Sequence, residues 1–132
     1  MTAISAYLTF DGNCRKAMTF YKECLGGELT LETVKGSPME SHWPKEVQNN
    51  ILHACLENGS LTLLGSDMVE ADGLSKGNNI SLSLICNSNE EIELFFKKLS
   101  AGGKIKYPLH NFYAGKIGGL IDKFGINWIL KL

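Results

Sequence analysis

The sequence predicts an α+β fold built from two consecutive βαβββ modules, and three features point to it. Asn13 to Gly27 and Ser88 to Gly103 share one design: a small polar residue opens each, an aromatic pair (Phe20-Tyr21, Phe95-Phe96) precedes a lysine, and two glycines close it. Ile4 to Phe10 and Asn79 to Leu84 precede these stretches and alternate apolar and polar residues with period two, as half-buried strands do. Strand-like segments follow both, Glu28 to Lys35 and Lys104 to Tyr107, so β-α-β occurs twice.

In chain order, the first strand ends at the turn Asp11-Gly12, and Asn13 stands where a capping residue belongs. Ala17, Met18, Tyr21 and Leu25 recur at helical spacing and make one buried stripe. Gly26-Gly27 supply the left-handed residue that ends a helix without a Cβ clash. After the strand Glu28 to Lys35, the run Gly36 to Pro44 is too rich in turn formers to be regular structure and reads as a loop. Asn50 to Glu57 and Ser60 to Gly65 flank Asn58-Gly59, a strong hairpin signal. Ser66 to Gly77 joins the halves. The second half repeats the plan. Its helix has the stripe Ile92, Phe95, Phe96 and Leu99, and Ser88 with Glu91 forms a capping-box pattern. A strand at Lys104 to Tyr107, a loop around Leu109 to Phe112, and strands Tyr113 to Ile121 and Ile126 to Leu132 around the turn Asp122 to Gly125 complete it. The chain reads as one domain, residues 1–132, with module 1 at about 1–67 and module 2 at about 78–132.

With 132 residues, 44% of them hydrophobic, there is enough apolar material for a core. A net charge of −1 leaves no basic surplus for phosphates, so nucleic acid is not an expected partner unless the charges are segregated. No run of about 18 apolar residues exists, and the first ten residues lack the pattern of a secretory signal, so the expectation is a cytoplasmic protein with no membrane partner. Cys14, Cys24, Cys55 and Cys86 have the spacing of neither a disulfide framework nor a metal cage. They read as small buried thiols, with Cys55 the one to watch. Nucleophile elbows, Walker-type loops, dinucleotide fingerprints and His-x-x-x-His pairs are absent from the sequence.

The segments Tyr7 to Cys14, Phe20 to Leu29, Gly65-Ser66-Asp67 and Asp122 to Trp128 together resemble the PhnB-like branch of the glyoxalase, bleomycin-resistance and dioxygenase superfamily, the vicinal oxygen chelate proteins. The resemblance spans the full length. It implies curved mixed sheets around a cleft, a helix on the convex side of each, and a homodimer. Because this fold serves lyases, isomerases, oxygenases and drug-binding proteins, it implies no single activity. Relatives sometimes carry the name demethylubiquinone methyltransferase, but no glycine-rich nucleotide loop accompanies that name in this sequence.

On that resemblance the period-two register sorts the strands. Ala6, Leu8, Phe10, Leu52, Ala54, Leu56, Ile80, Leu82, Leu84, Ile126, Trp128 and Leu130 should meet the helices. Ser5, Tyr7, Thr9, His53, Cys55, Thr62, Leu64, Asn79, Ser81, Ser83, Asn127 and Ile129 should line the cleft. Metal-dependent members take two ligands from each module. Their places fall at Ser5 and Asn79 on the first strands, and at Leu64 and Ile129 on the last. Leucine and isoleucine have no donor atom, and a serine with an amide cannot offset dehydrating a divalent cation. No metal and no cofactor are therefore expected.

His53 alternates onto the cleft register and is a candidate general base or hydrogen-bond donor, although a lone strand histidine is more often a satisfied structural group. His42 and His110 fall in the predicted loops. Tyr7, Trp43, Phe112 and Tyr113 are expected to wall an apolar pocket. The candidate ligand-binding set is Ser5, Tyr7, Thr9, Trp43, His53, Cys55, Asn79, Ser81, Phe112 and Tyr113. The expected role is binding a small, partly aromatic or apolar ligand. The alternative is a glyoxalase- or dioxygenase-type lyase or isomerase, either metal-dependent or using His53 with Tyr7 or Cys55. A third reading is a structural or regulatory partner module.

Overall fold

A computed structural model describes residues 2–132. The chain divides between Leu74 and Ser75 into two compact units. Unit 1 runs β1 (Ala6–Thr9), α1 (Cys14–Leu25), β2 (Glu28–Thr33), β3 (Ile51–Asn58) and β4 (Leu61–Ser66). Unit 2 runs β5 (Leu82–Ile85), α2 (Asn89–Ser100), β6 (Lys104–Phe112), β7 (Gly115–Ile121) and β8 (Asn127–Lys131). The βαβββ order thus occurs twice. Each unit holds a four-stranded mixed sheet, in the orders β1-β4-β3-β2 and β5-β8-β7-β6. The first pair of each is parallel and the rest antiparallel.

Register decides which face is buried. In unit 1 the rows Ala6, Leu63, Leu56, Leu29 and Leu8, Gly65, Ala54, Leu31 lie side by side on one face. Against them α1 buries Cys14, Ala17, Met18, Tyr21 and Leu25, and each large apolar side chain so buried contributes roughly 1.5–3 kcal/mol. Gly65 lets the helix come close, since a Cβ there would stand 3.3 Å from both Cys14 Sγ and Met18 Sδ. In unit 2 the rows Leu82, Trp128, Leu120 and Leu84, Leu130, Gly118 form the corresponding face. There a Cβ on Gly118 would come within 2.8 Å of both the Phe96 ring and Leu109. Among the described residues each sheet has a second face that carries no helix.

The ends of the helices differ from the sequence reading in one respect. Ser88 caps α2 as expected, its hydroxyl accepting from the N–H of Glu91 at 3.1 Å, while the Glu91 carboxylate accepts from the N–H of Asn87 at 2.9 Å. Asn13 makes no side-chain cap. Asp67, buried just past β4, does that work instead. Its Oδ1 accepts from the N–H groups of Gly12 at 3.0 Å and Cys14 at 2.9 Å, and its Oδ2 from that of Ile51 at 2.8 Å. Gly26, Gly27 and Gly102 follow their helices at positive φ; at Gly27, φ 101°, an added Cβ would run into the Glu57 carbonyl.

Several strand boundaries also move. β1 and β5 are shorter than the alternation suggested, because residues before Ala6 and Leu82 have no ladder partner. Ile80 consequently lies outside β5, 75% exposed, and does not meet the helix. β6 continues through Pro108 to Phe112, where a loop was expected. It is an edge strand with register shifts on both sides of Tyr107, and an edge tolerates a residue without an N–H. The hairpin turn is Tyr113-Ala114, and β7 starts only at Gly115.

Charge is unevenly shared: unit 1 carries ten of the 14 acidic residues, and unit 2 eight of the 13 basic ones. Among the described residues no helix is long and apolar enough to cross a membrane.

Asp67→Ala strands three backbone N–H groups and is expected to lower unfolding free energy by about 3 kcal/mol, read as a fall in the urea midpoint. Asp72→Ala, at an exposed position, should change it by no more than about 0.5 kcal/mol.

Candidate functional site

With α1 on one face, the other face of the unit 1 sheet presents Tyr7, Leu64, Cys55 and Thr30 as one row across all four strands. His53 and Glu32 form a neighbouring row, and Glu57 with Glu28 the row on the other side. The Tyr7 hydroxyl lies 3.5 Å from His53 Nδ1, and the rings stand 6.0 Å apart and tilted by 41°. Tyr7 is 53% exposed, so the pair is open to an incoming molecule. Thr9 is half-buried one step along β1 on the same face. Ser5, just before β1, is exposed.

Cys55 donates its thiol hydrogen to Glu57 Oε1 at 3.3 Å. Burial above all, and then the hydrogen bond and charge of Glu57, push its pKa above the ordinary 9.0. At neutral pH it is a thiol, a weak donor and not a thiolate nucleophile. Burial first, with the charge of Asp67 added, pushes Cys14 up to about 12, and burial with Glu91 pushes Cys86 up to about 11. All four cysteines are free.

In unit 2 the matching row on the helix-free face is Ser83, Ile129, Gly119 and Tyr107. The Tyr107 ring occupies the space left by the missing Cβ of Gly119, which would stand 2.6 Å from Tyr107 Cε1. His110 meets it edge-on at 6.0 Å and donates from Nδ1 to the Pro108 carbonyl at 2.9 Å. Reading 109–112 as a loop hid this pair; the run of two glycines in β7 facing an aromatic was the available signal. Asn79 is exposed and Ser81 half-buried, both ahead of β5. Asn127 is buried, with Nδ2 donating to the Gly77 carbonyl at 3.0 Å.

The four aromatics expected to wall one pocket occupy different elements. Phe112 and Tyr113 pack against each other at 4.6 Å at the tip of the β6–β7 hairpin, with Tyr113 94% exposed and at φ 53°. Trp43 lies between two short 3₁₀ turns, Glu40–His42 and Lys45–Val47. It lines an open recess of about 590 Å³ with Lys35, Glu40, Ser41, Lys45, Gln48 and Asn49, of which the sequence reading singled out Trp43 alone.

The positions where the superfamily resemblance puts metal ligands do not form a donor set. Leu64 and Ile129 have no ligating atom, and Ser5 and Asn79 lie outside the strands. Among the described residues no three His, Cys, Asp or Glu side chains are grouped to hold an ion.

The profile of the family described as 3-demethylubiquinone-9 3-methyltransferase matches residues 2–131. The chain belongs to this PhnB-like family. Protein PA1353 of Pseudomonas aeruginosa is 33% identical, with a TM-score of 0.87 over 98% of this chain and 96% of that one. The PhnB protein of Bacillus cereus, called a putative 3-demethylubiquinone-9 3-methyltransferase, is 25% identical with a TM-score of 0.75 over 99% of each chain. A glyoxylase/bleomycin resistance protein/dioxygenase domain from Frankia sp. EAN1pec, at 18% identity and a TM-score of 0.63 over 100% of this chain and 92% of that one, shares the fold. The PhnB-like chain thus has the α+β glyoxalase/bleomycin-resistance fold.

Replacing Glu57 by Gln removes both the charge and the carboxylate acceptor that raise the Cys55 pKa. Alkylation of this thiol by iodoacetamide at pH 8 should then run severalfold faster than in the unsubstituted protein, as followed by mass spectrometry.

Proposed function

We propose that this PhnB-like protein binds a small, partly aromatic or apolar ligand on the helix-free face of unit 1, without a resident metal. The observation that carries the reading is the exposed Tyr7–His53 pair, 3.5 Å apart, above a floor of Leu64 and Cys55. An aromatic face, a hydroxyl and an imidazole beside an aliphatic patch are the usual furnishing of a small-molecule site. Glu28, Glu32 and Glu57 share this face, and the four strands of unit 1 hold no lysine or arginine, so neutral or cationic ligands are favoured over anions. Thr9 and Ser5 extend the polar rim.

A second reading, acid–base catalysis by His53 with Tyr7 as partner, draws on the same contact. The raised Cys55 thiol argues against Cys55 as the base. Methyl transfer, named in the family description, finds no glycine-rich nucleotide loop in this sequence, and we do not assign it. We further propose a cytoplasmic homodimer. The opposite charge of the two units favours contacts between unlike units of two copies.

A thermal-shift screen of amine-bearing and neutral aromatic metabolites should yield a stabilising ligand. Tyr7→Phe and His53→Ala should each weaken it about three- to tenfold, the size of one hydrogen bond. If neither variant changes the affinity, this face is not the site; stoichiometric transition metal that disappears in His53→Ala would favour the metal-dependent enzyme. Sedimentation at micromolar concentration should find a dimer that weakens as salt rises from 20 to 500 mM, and a 14.5 kDa species at both would remove the dimer.

A further inference from the structure

The recess beside Trp43 is chemically unlike the sheet face. Its wall is held in place: Gln48 Nε2 donates to the carbonyls of Glu40 at 3.0 Å, Trp43 at 2.9 Å and Pro44 at 3.4 Å. The Lys35 N–H donates to the Gln48 carbonyl at 2.8 Å, tying this wall to the residues that follow β2. Glu40 Oε1 accepts from the Gly36 N–H at 2.6 Å, which commits the one carboxylate in the lining. Lys35 and Lys45 remain, and among the described residues neither is in an ion pair. The half-buried Trp43 indole supplies an apolar face, and Ser41 and Asn49 supply neutral polar groups. Gln48 Oε1 is buried without a hydrogen-bond partner among the described residues. Clamping the three carbonyls therefore leaves an acceptor unsatisfied, which costs stability.

We propose that this recess is a second binding site, which takes a small planar aromatic carboxylate. Its volume of about 590 Å³ suits a molecule of that class. Two ammonium groups against one committed carboxylate leave a surplus of one positive charge, which matches a monoanion. The ring would stack on Trp43, and the carboxylate would sit between Lys35 and Lys45. Phosphate esters fit less well, because the lining has no arginine fork to bind them bidentately.

The test is calorimetry on the full chain with three probes of one shape: 1-naphthoate, 1-naphthylmethanol and 1-naphthylmethylamine. One naphthoate should bind per chain, about tenfold or more tighter than the alcohol, and more tightly than the amine. The Lys35→Ala/Lys45→Ala double variant should lose at least that tenfold. Trp43→Ala should weaken binding, and Trp43→Phe, which keeps a ring and guards against a folding artefact, should restore part of it. Tyr7→Phe and His53→Ala should leave naphthoate binding unchanged, which separates this site from the unit 1 sheet face. Absence of naphthoate binding, equal affinity for all three probes, or sensitivity to Tyr7 and His53 but not to the lysines would overturn the proposal.

Discussion

Unit 1 is organised by one buried carboxylate. Asp67 follows β4 and binds three N–H groups that belong to the β1–α1 turn, the first turn of α1 and the start of β3, while its own N–H donates to the Ile51 carbonyl at 2.8 Å. A buried carboxylate is tolerable only with such donors, and the helix N-terminus adds a favourable dipole. The clamp holds α1 across one face of the sheet and leaves the other free. It also fixes β1 against β3 across β4. The contact between Tyr7 and His53 depends on that register, because they stand two strands apart with Leu64 on the strand between. The same charge helps keep Cys14 protonated, so one group governs helix start, strand register and thiol chemistry.

Unit 2 reaches the same layout by local means. Asp122, also buried, accepts from the N–H groups of Phe124 at 2.8 Å and Ile126 at 3.1 Å with one oxygen, and from Trp128 Nε1 at 2.9 Å with the other. Those groups all lie within six residues of it. Its helix is capped by Ser88 from within its own sequence. Losing Asp122 should therefore loosen the β7–β8 turn, whereas losing Asp67 disconnects segments 55 and 16 residues away.

Local patterns were legible and long-range ones were not. The helix stripes, the closing glycines and the Ser88 box are each written within a few residues, and each appears in the fold; the β3–β4 hairpin appears too, but its turn is Gly59-Ser60, one place on, because Asn58 pairs with Leu61. Asn13 looked like a cap because it stands where caps stand; that a carboxylate 54 positions on would take the role depends on strand pairing. Pro108 looked like the end of a strand because the edge position that excuses it is a property of the whole sheet. The sheet faces followed from alternation, which brought Tyr7, His53 and Cys55 together correctly. The recess did not, since Lys35 and Gln48 meet only once β2 and β3 are paired.

The helix-free faces of the two units share one layout and differ in where their polar groups stand. Register makes Leu64 and Ile129 equivalent, each at the centre of its row. Each is flanked by a small residue on the next strand, Cys55 or Gly119, and each row ends in a tyrosine, but at opposite edges: Tyr7 on β1 and Tyr107 on β6. The centre of each row, where the superfamily resemblance puts a metal ligand, is therefore aliphatic, and the polar groups stand at the rim with a histidine beside each tyrosine. A centre of this kind cannot polarise a bound oxygen, but it can hold an apolar ring, and rim hydroxyls and imidazoles can then select which ring. Because the rims lie on different strands, the two faces cannot make identical contacts. The two units thus share one backbone plan and register, while the side chains on their helix-free faces differ.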